Sequence, residues 1–160
     1  MGLWSRARGD PPRRTGELED AMTTIEALRA WAAGSCPDAA AGELLTRAFS
    51  GRFAATGRPW IAADADGHER LDADSLRVAS ALSGGEHRIL TLVAALVDGQ
   101  PVEIVDFVSG LDRHHLDLVL AALAHAAGSH EHTAMTLDAE GRGHLTNLGP
   151  LHPWPDSDGR

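Results

Sequence analysis

The chain has 160 residues, 43% of them hydrophobic and 23% charged, with a net charge of −9. That is the profile of one soluble globular domain with a real core, and too short for two of ordinary size. Its charge is uneven: residues 1–16 hold four arginines against Asp10, a net +3, which leaves −12 for the rest. An acidic body repels phosphates, so duplex nucleic acid is not expected as a main partner apart from the arginine-bearing tail.

All 14 basic residues are arginine, and tyrosine is absent, a bias typical of GC-rich codon usage. The single cysteine, Cys36, rules out an intramolecular disulfide and suits a reducing cytoplasm. No apolar run approaches the ~20 residues needed to span a bilayer. Met1-Gly2-Leu3-Trp4 leads into Arg, Asp and Pro rather than an apolar signal core. The expectation is a cytoplasmic protein with no membrane partner.

In chain order, residues 1–16 read as a disordered tail because Gly9, Pro11, Pro12 and Gly16 are interleaved with charges. Residues 17–155 read as the globular domain and 156–160 as a polar tail. Leu18, Met22, Ile25, Leu28 and Ala32 recur at helical spacing over 17–33, with Gly34 as the stop. A second helix over about 37–50 offers Leu44, Leu45, Ala48 and Phe49 to the core before Gly51. Pro59-Trp60-Ile61 opens a short strand, and Arg70-Leu71 returns as its partner across the turn Asp64-Ala65-Asp66-Gly67. The acids here lack the ligand spacing of a calcium loop, since Ala73 falls where its final glutamate belongs. Asp72 or Asp74 caps a short helix that ends near Ala81.

Ser83 and Glu86, three residues apart, form a capping box that opens a helix. Ile89, Leu90, Val93, Leu96 and Val97 make its apolar stripe and Gly99 ends it. Of the two capping residues, Ser83 is expected to carry the larger share of stability. Val102–Val108 fits either a buried strand or a short helix starting at Pro101. Asp112 caps a helix running to about Ala127, whose core face is read as Leu116, Val119, Leu120, Leu123 and Ala127. Thr133–Leu137 and His144–Leu148 read as a hairpin, followed by the proline-rich Pro150–Pro155. The fold class expected is α+β: a small single domain of four or five helices with two short β-hairpins.

Leu82-Ser83-Gly84-Gly85-Glu86 resembles the signature motif of ABC-type ATPases. Asp106 stands where that family's strand-ending aspartate falls, and Ser109-Gly110-Leu111-Asp112 resembles the loop after it. The likeness covers about residues 82–127. It implies a nucleotide phosphate contacted by Ser83, Gly84, Gly85 and Glu86, because a glycine-bearing helix N-terminus admits backbone N–H groups to an anion. Several of the family's parts are missing. Phe107 occupies the place of the catalytic glutamate, and no Gly-x-x-x-x-Gly-Lys-Ser/Thr loop exists. What the resemblance leaves is a fragment contributing to a nucleotide site in trans. Leu-Ser-Gly-Gly-Glu, Gly-Leu-Asp-Arg, Ala-His-Ala-Ala-Gly-Ser-His-Glu-His and Leu-His-Pro-Trp-Pro together also resemble a family of small actinobacterial proteins, a likeness that implies no activity.

Nine histidines are many for this length. His114 and His115 start the helix after Asp112, whereas His125, His130 and His132 lie at and beyond its end. At ~1.5 Å per residue the two groups are ~15–20 Å apart and cannot share an ion. His130-Glu131-His132, with His125 or His144, can supply three or four zinc ligands at a helix–strand junction. No neighbour in sequence activates Cys36, so a structural role is expected for it. Three functional readings follow. The first is a non-enzymatic accessory or protein-interaction domain whose partner is another protein. The second is the nucleotide role through the signature-like helix, and the third is zinc binding through the histidines.

Overall fold

The computed structural model describes residues 14–156, with side chains described from residue 23. Among these residues are six α-helices and two two-stranded antiparallel sheets, a small α+β domain. Helix α1 spans Arg14–Trp31, so residues 14–16, expected in the tail, are helical. The remainder of both expected tails lies outside the described residues, except the exposed Asp156.

Helix α2 (Cys36–Arg47) begins where Ser35 accepts a hydrogen bond from the Asp38 backbone N–H, and Pro37 sits in its first turn, where a missing N–H costs nothing. It is the centre of the molecule, packing against both the signature-like helix and the last long helix. Ala40, Ala41, Leu44 and Leu45 are fully buried between them. The expected extension to residue 50 does not form. The chain tightens into a 3-10 segment, Ala48–Ala54, with Phe49, Ser50 and Gly51 in left-handed conformation. Side chains rarely adopt that region, so Phe49 and Ser50 hold it only because their surroundings enforce it. Phe49 is wedged between Phe53 at 5.5 Å and the His115 ring at 4.1 Å.

Trp60 donates its indole N–H to the Phe53 carbonyl at 2.8 Å in the core, tying this segment to the first hairpin. Strands β1 (Ile61–Ala63) and β2 (Glu69–Leu71) pair with Ile61 opposite Leu71. The acidic residues form the turn between them, where the Asp64 carboxylate accepts from the backbone N–H groups of Asp66 and His68. Helix α3 (Ala73–Arg77) follows, with Asp72 at its N-cap, and it packs on α4 (Gly84–Asp98). Arg77 grips Asp98 at the end of α4 through a two-pronged ion pair.

Val102–Val108 resolves as helix α5 (Ile104–Val108), a single turn from which only Phe107 enters the core. Ile104 and Val105 are exposed, a burial pattern that suits neither face of a strand. Helix α6 (Arg113–Ala126) forms under the expected Asp112 cap, but of its expected core face only Val119 packs inward. Leu118, Val119, Ala121 and Ala122 are buried against α2, whereas Leu116, Leu120 and Leu123 are 36%, 46% and 47% exposed and Ala127 faces solvent beside them. The helix is apolar on nearly every side, so periodicity alone could not choose which stripe packs inward.

Strands β3 (Thr133–Leu137) and β4 (Gly143–Asn147) pair with Met135 opposite Leu145 and Leu137 opposite Gly143. No residue of either strand is buried, and Met135, Leu137 and Leu145 share one exposed face. The chain then returns across the domain. The Leu151 backbone N–H donates to Ser129 Oγ at 3.2 Å, His152 reaches Asp117 at 2.7 Å, and Arg47 lies over the Trp154 ring at 5.3 Å.

Candidate functional site

The signature-like segment is occupied by its own caps. Ser83 Oγ accepts from the Glu86 N–H at 3.4 Å, and the Glu86 carboxylate accepts from the Ser83 N–H at 2.8 Å. The other carboxylate oxygen of Glu86 forms a close ion pair with Arg52. Gly84 and Gly110 leave room for the Arg88 guanidinium, since a Cβ at either would come within 2.9 Å of it. Arg88 also donates Nε–H to the Asp106 carbonyl at 2.8 Å. Asp106, expected at the end of a strand by analogy, lies on the exposed side of α5. Gly85 has open space around its Cα. The residues singled out here thus join the N-terminus of α4 to the 3-10 segment and to α5.

The histidines divide differently from their order in sequence. His125, in the last turn of α6, stacks on His130 with ring centroids 4.0 Å apart and planes 9° from parallel. His132 is exposed at the entrance to β3 and joins no cluster of metal-ligating groups among the described residues. His144 sits on β4 and bonds Asp138 across the hairpin turn at 2.9 Å. That bond, with backbone N–H groups from Arg142 and Glu140, holds the Asp138 carboxyl below its ordinary range. Two of the four proposed zinc ligands are therefore brought together and two are not.

Cys36 takes their place. As the first residue of α2 it projects toward the end of α6, where Gly128 ends the helix in a left-handed conformation (φ 70°) that favours glycine. One ligating atom each from Cys36, His130 and Glu131 lie within 4.8 Å of one another. A Cβ on Gly128 would stand 3.8 Å from both Cys36 Sγ and Glu131 Oε2, so this glycine forms one wall of the cluster. The three residues open onto a cleft of about 370 Å³ between α1, α2 and the α6–β3 junction, also lined by His125, Arg29 and Glu43.

The electrostatics of the cleft follow from its walls. Burial pushes the Cys36 thiol above its ordinary range, and the Glu131 carboxylate beside it, which accepts the thiol hydrogen bond, pushes the same way. Burial lowers His125 below its ordinary range, and neighbouring His130 adds to the effect. Burial raises Glu43, but hydrogen bonds from Arg29 at 2.6 Å and Arg47 at 3.0 Å outweigh it and leave this carboxyl below the ordinary range. His130 Nδ1 is buried with no hydrogen-bond partner.

Sequence reasoning found His125, His130 and Glu131 but not Cys36. No spacing could have linked the start of α2 to the end of α6; only the packing of those two helices does so. Searches of known protein families, curated proteins and solved structures find no match to this chain.

Proposed function

We propose that the chain is a non-enzymatic protein-interaction domain whose docking face is the outer side of α6, and that the occupant is the same face of a second copy. The observation that carries this reading is the exposure of Leu116, Leu120 and Leu123 on a helix whose opposite side is already packed. A helix that is apolar all round is normally buried on all sides. With Ala127 these residues follow spacings of four, three and four, the seam along which helices pair. An antiparallel pairing about the point midway between Leu120 and Leu123 sets Leu120 against Leu123 of its partner and Leu116 against Ala127. Large then meets small at both ends of the seam. Each Arg113, at a helix N-terminus, would come near the negative end of the other helix. The exposed face of the β3–β4 hairpin adds a second apolar surface of the kind that marks interaction sites.

Sedimentation velocity from about 1 μM to 1 mM, a range spanning −8 to −4 kcal/mol of association free energy, tests the proposal. The wild-type chain is expected to dimerise within it, and Leu120→Glu to remain monomeric with an unchanged urea midpoint. Because each copy carries −9, added salt should tighten the dimer by screening repulsion. A wild-type chain that stays monomeric to 1 mM, or a Leu120→Glu variant that dimerises equally well, overturns it.

A further inference from the structure

We propose that Cys36, His130 and Glu131 form a binding site for a zinc-class divalent metal, at the junction of α2 with the end of α6. The interaction role of α6 does not require it, and its residues are not those of the docking face.

Thiolate, imidazole and carboxylate are the three side chains that zinc takes as ligands, at ~2.3 Å from sulfur and ~2.0–2.2 Å from nitrogen or oxygen. Around a tetrahedral ion such ligands stand ~3.3–3.6 Å apart, by simple geometry from those bond lengths. The ligating atoms here already lie within 4.8 Å of one another, so at most ~1.5 Å of side-chain motion closes the set. Glu131 can make that motion, because its side chain is largely exposed and its carboxylate is 3.8 Å from His130 Nε2. The backbone is anchored on both sides: Cys36 by the Ser35-capped start of α2, His130 by the 3-10 turn Ser129–Glu131. Asn147 Nδ2–H donates to the His130 carbonyl at 3.1 Å, which fixes that turn against the hairpin.

His130 Nδ1 is buried with no hydrogen-bond partner, so this ring nitrogen is uncommitted to any other group of the protein. The same cleft provides the volume for an ion and its water. Three protein ligands leave a fourth position open to solvent. His125 does not fill it, because two parallel stacked imidazoles cannot aim in-plane lone pairs at one tetrahedral ion. On binding, the Cys36 thiol proton is released to solvent as the sulfur–metal bond forms, with no change of oxidation state.

The test uses the untagged full chain, stripped of metal and titrated with zinc by calorimetry, then with cobalt(II) as a visible probe. One equivalent of zinc is expected, with a thiolate-to-cobalt charge-transfer band in the near ultraviolet. Cys36→Ser should abolish that band and weaken zinc binding by more than ~10-fold, and His130→Ala should weaken it by as much. His132→Ala and His144→Ala should bind as wild type does. Glu131→Gln alters an exposed side chain, so the folded protein remains available if Cys36→Ser does not fold, and it too should weaken binding. No zinc uptake by wild type, a cobalt complex without the charge-transfer band, or undiminished binding by folded Cys36→Ser or Glu131→Gln overturns the proposal.

Discussion

Removing the two capping side chains of α4 one at a time should reverse the order expected from the sequence. Ser83 Oγ meets the Glu86 N–H at 3.4 Å, beyond the usual 2.7–3.2 Å range, so its loss in Ser83→Ala should cost only about 0.5 kcal/mol, the low end for an N-cap. Glu86 does more. Its carboxylate accepts the Ser83 N–H at 2.8 Å, places negative charge at a helix N-terminus, and pairs with Arg52 on the neighbouring segment. The charged hydrogen bond contributes roughly 1 kcal/mol at this half-buried position, and the helix dipole ~0.3–1. The pair with half-exposed Arg52 adds at most ~0.5 after solvent screening. Glu86→Ala should therefore cost about 1.5–2.5 kcal/mol, and Glu86→Gln about half of that, since the amide keeps an acceptor but not the charge. Urea unfolding followed by far-ultraviolet circular dichroism at pH 7 measures both, with an unchanged m-value required for the comparison. If Ser83→Ala costs as much as Glu86→Ala, the assignment of the cap's strength to Glu86 is wrong.

Leu45, fully buried where α2 meets α4 and α6, should cost about 2–5 kcal/mol as Leu45→Ala in the same assay; less than ~1 would mean that this contact is not a packed core. Trp60→Phe leaves the buried Phe53 carbonyl without its donor and should cost about 1–3 kcal/mol, whereas an unchanged urea midpoint would contradict the importance of that bond. The Arg77 guanidinium holds Asp98 at about 2, below the ordinary 3.8. Because the folded value is depressed, the stabilisation is complete above the ordinary value and is lost as pH falls through about 2. Carboxyl NMR titration should find Asp98 near 2 in wild type and near 3.8 in Arg77→Ala; a variant midpoint still near 2 would refute Arg77 as the cause.

Where signals are local, the sequence by itself determined this protein. The Ser83–Glu86 box, the Asp112 cap and the left-handed Gly99 and Gly128 act within one helical turn, so α4 and α6 begin and end close to where those residues predict. Both hairpins were legible for the same reason, as short apolar runs around turn-forming aspartates and glycines. Val102–Val108 was not, because seven residues of mixed polarity suit a turn of helix as well as a strand until Phe107 finds its pocket. Tertiary structure alone decided which way α6 faces. Its leucines and alanines cover nearly the whole circumference, so contact with α2 selects Leu118, Val119, Ala121 and Ala122 and leaves the leucine seam outside. Tertiary structure alone also brought Cys36 to His130 and Glu131. A site assembled from the start of one helix and the end of another has no spacing in the chain, and it exists only where packing closes the loop between them.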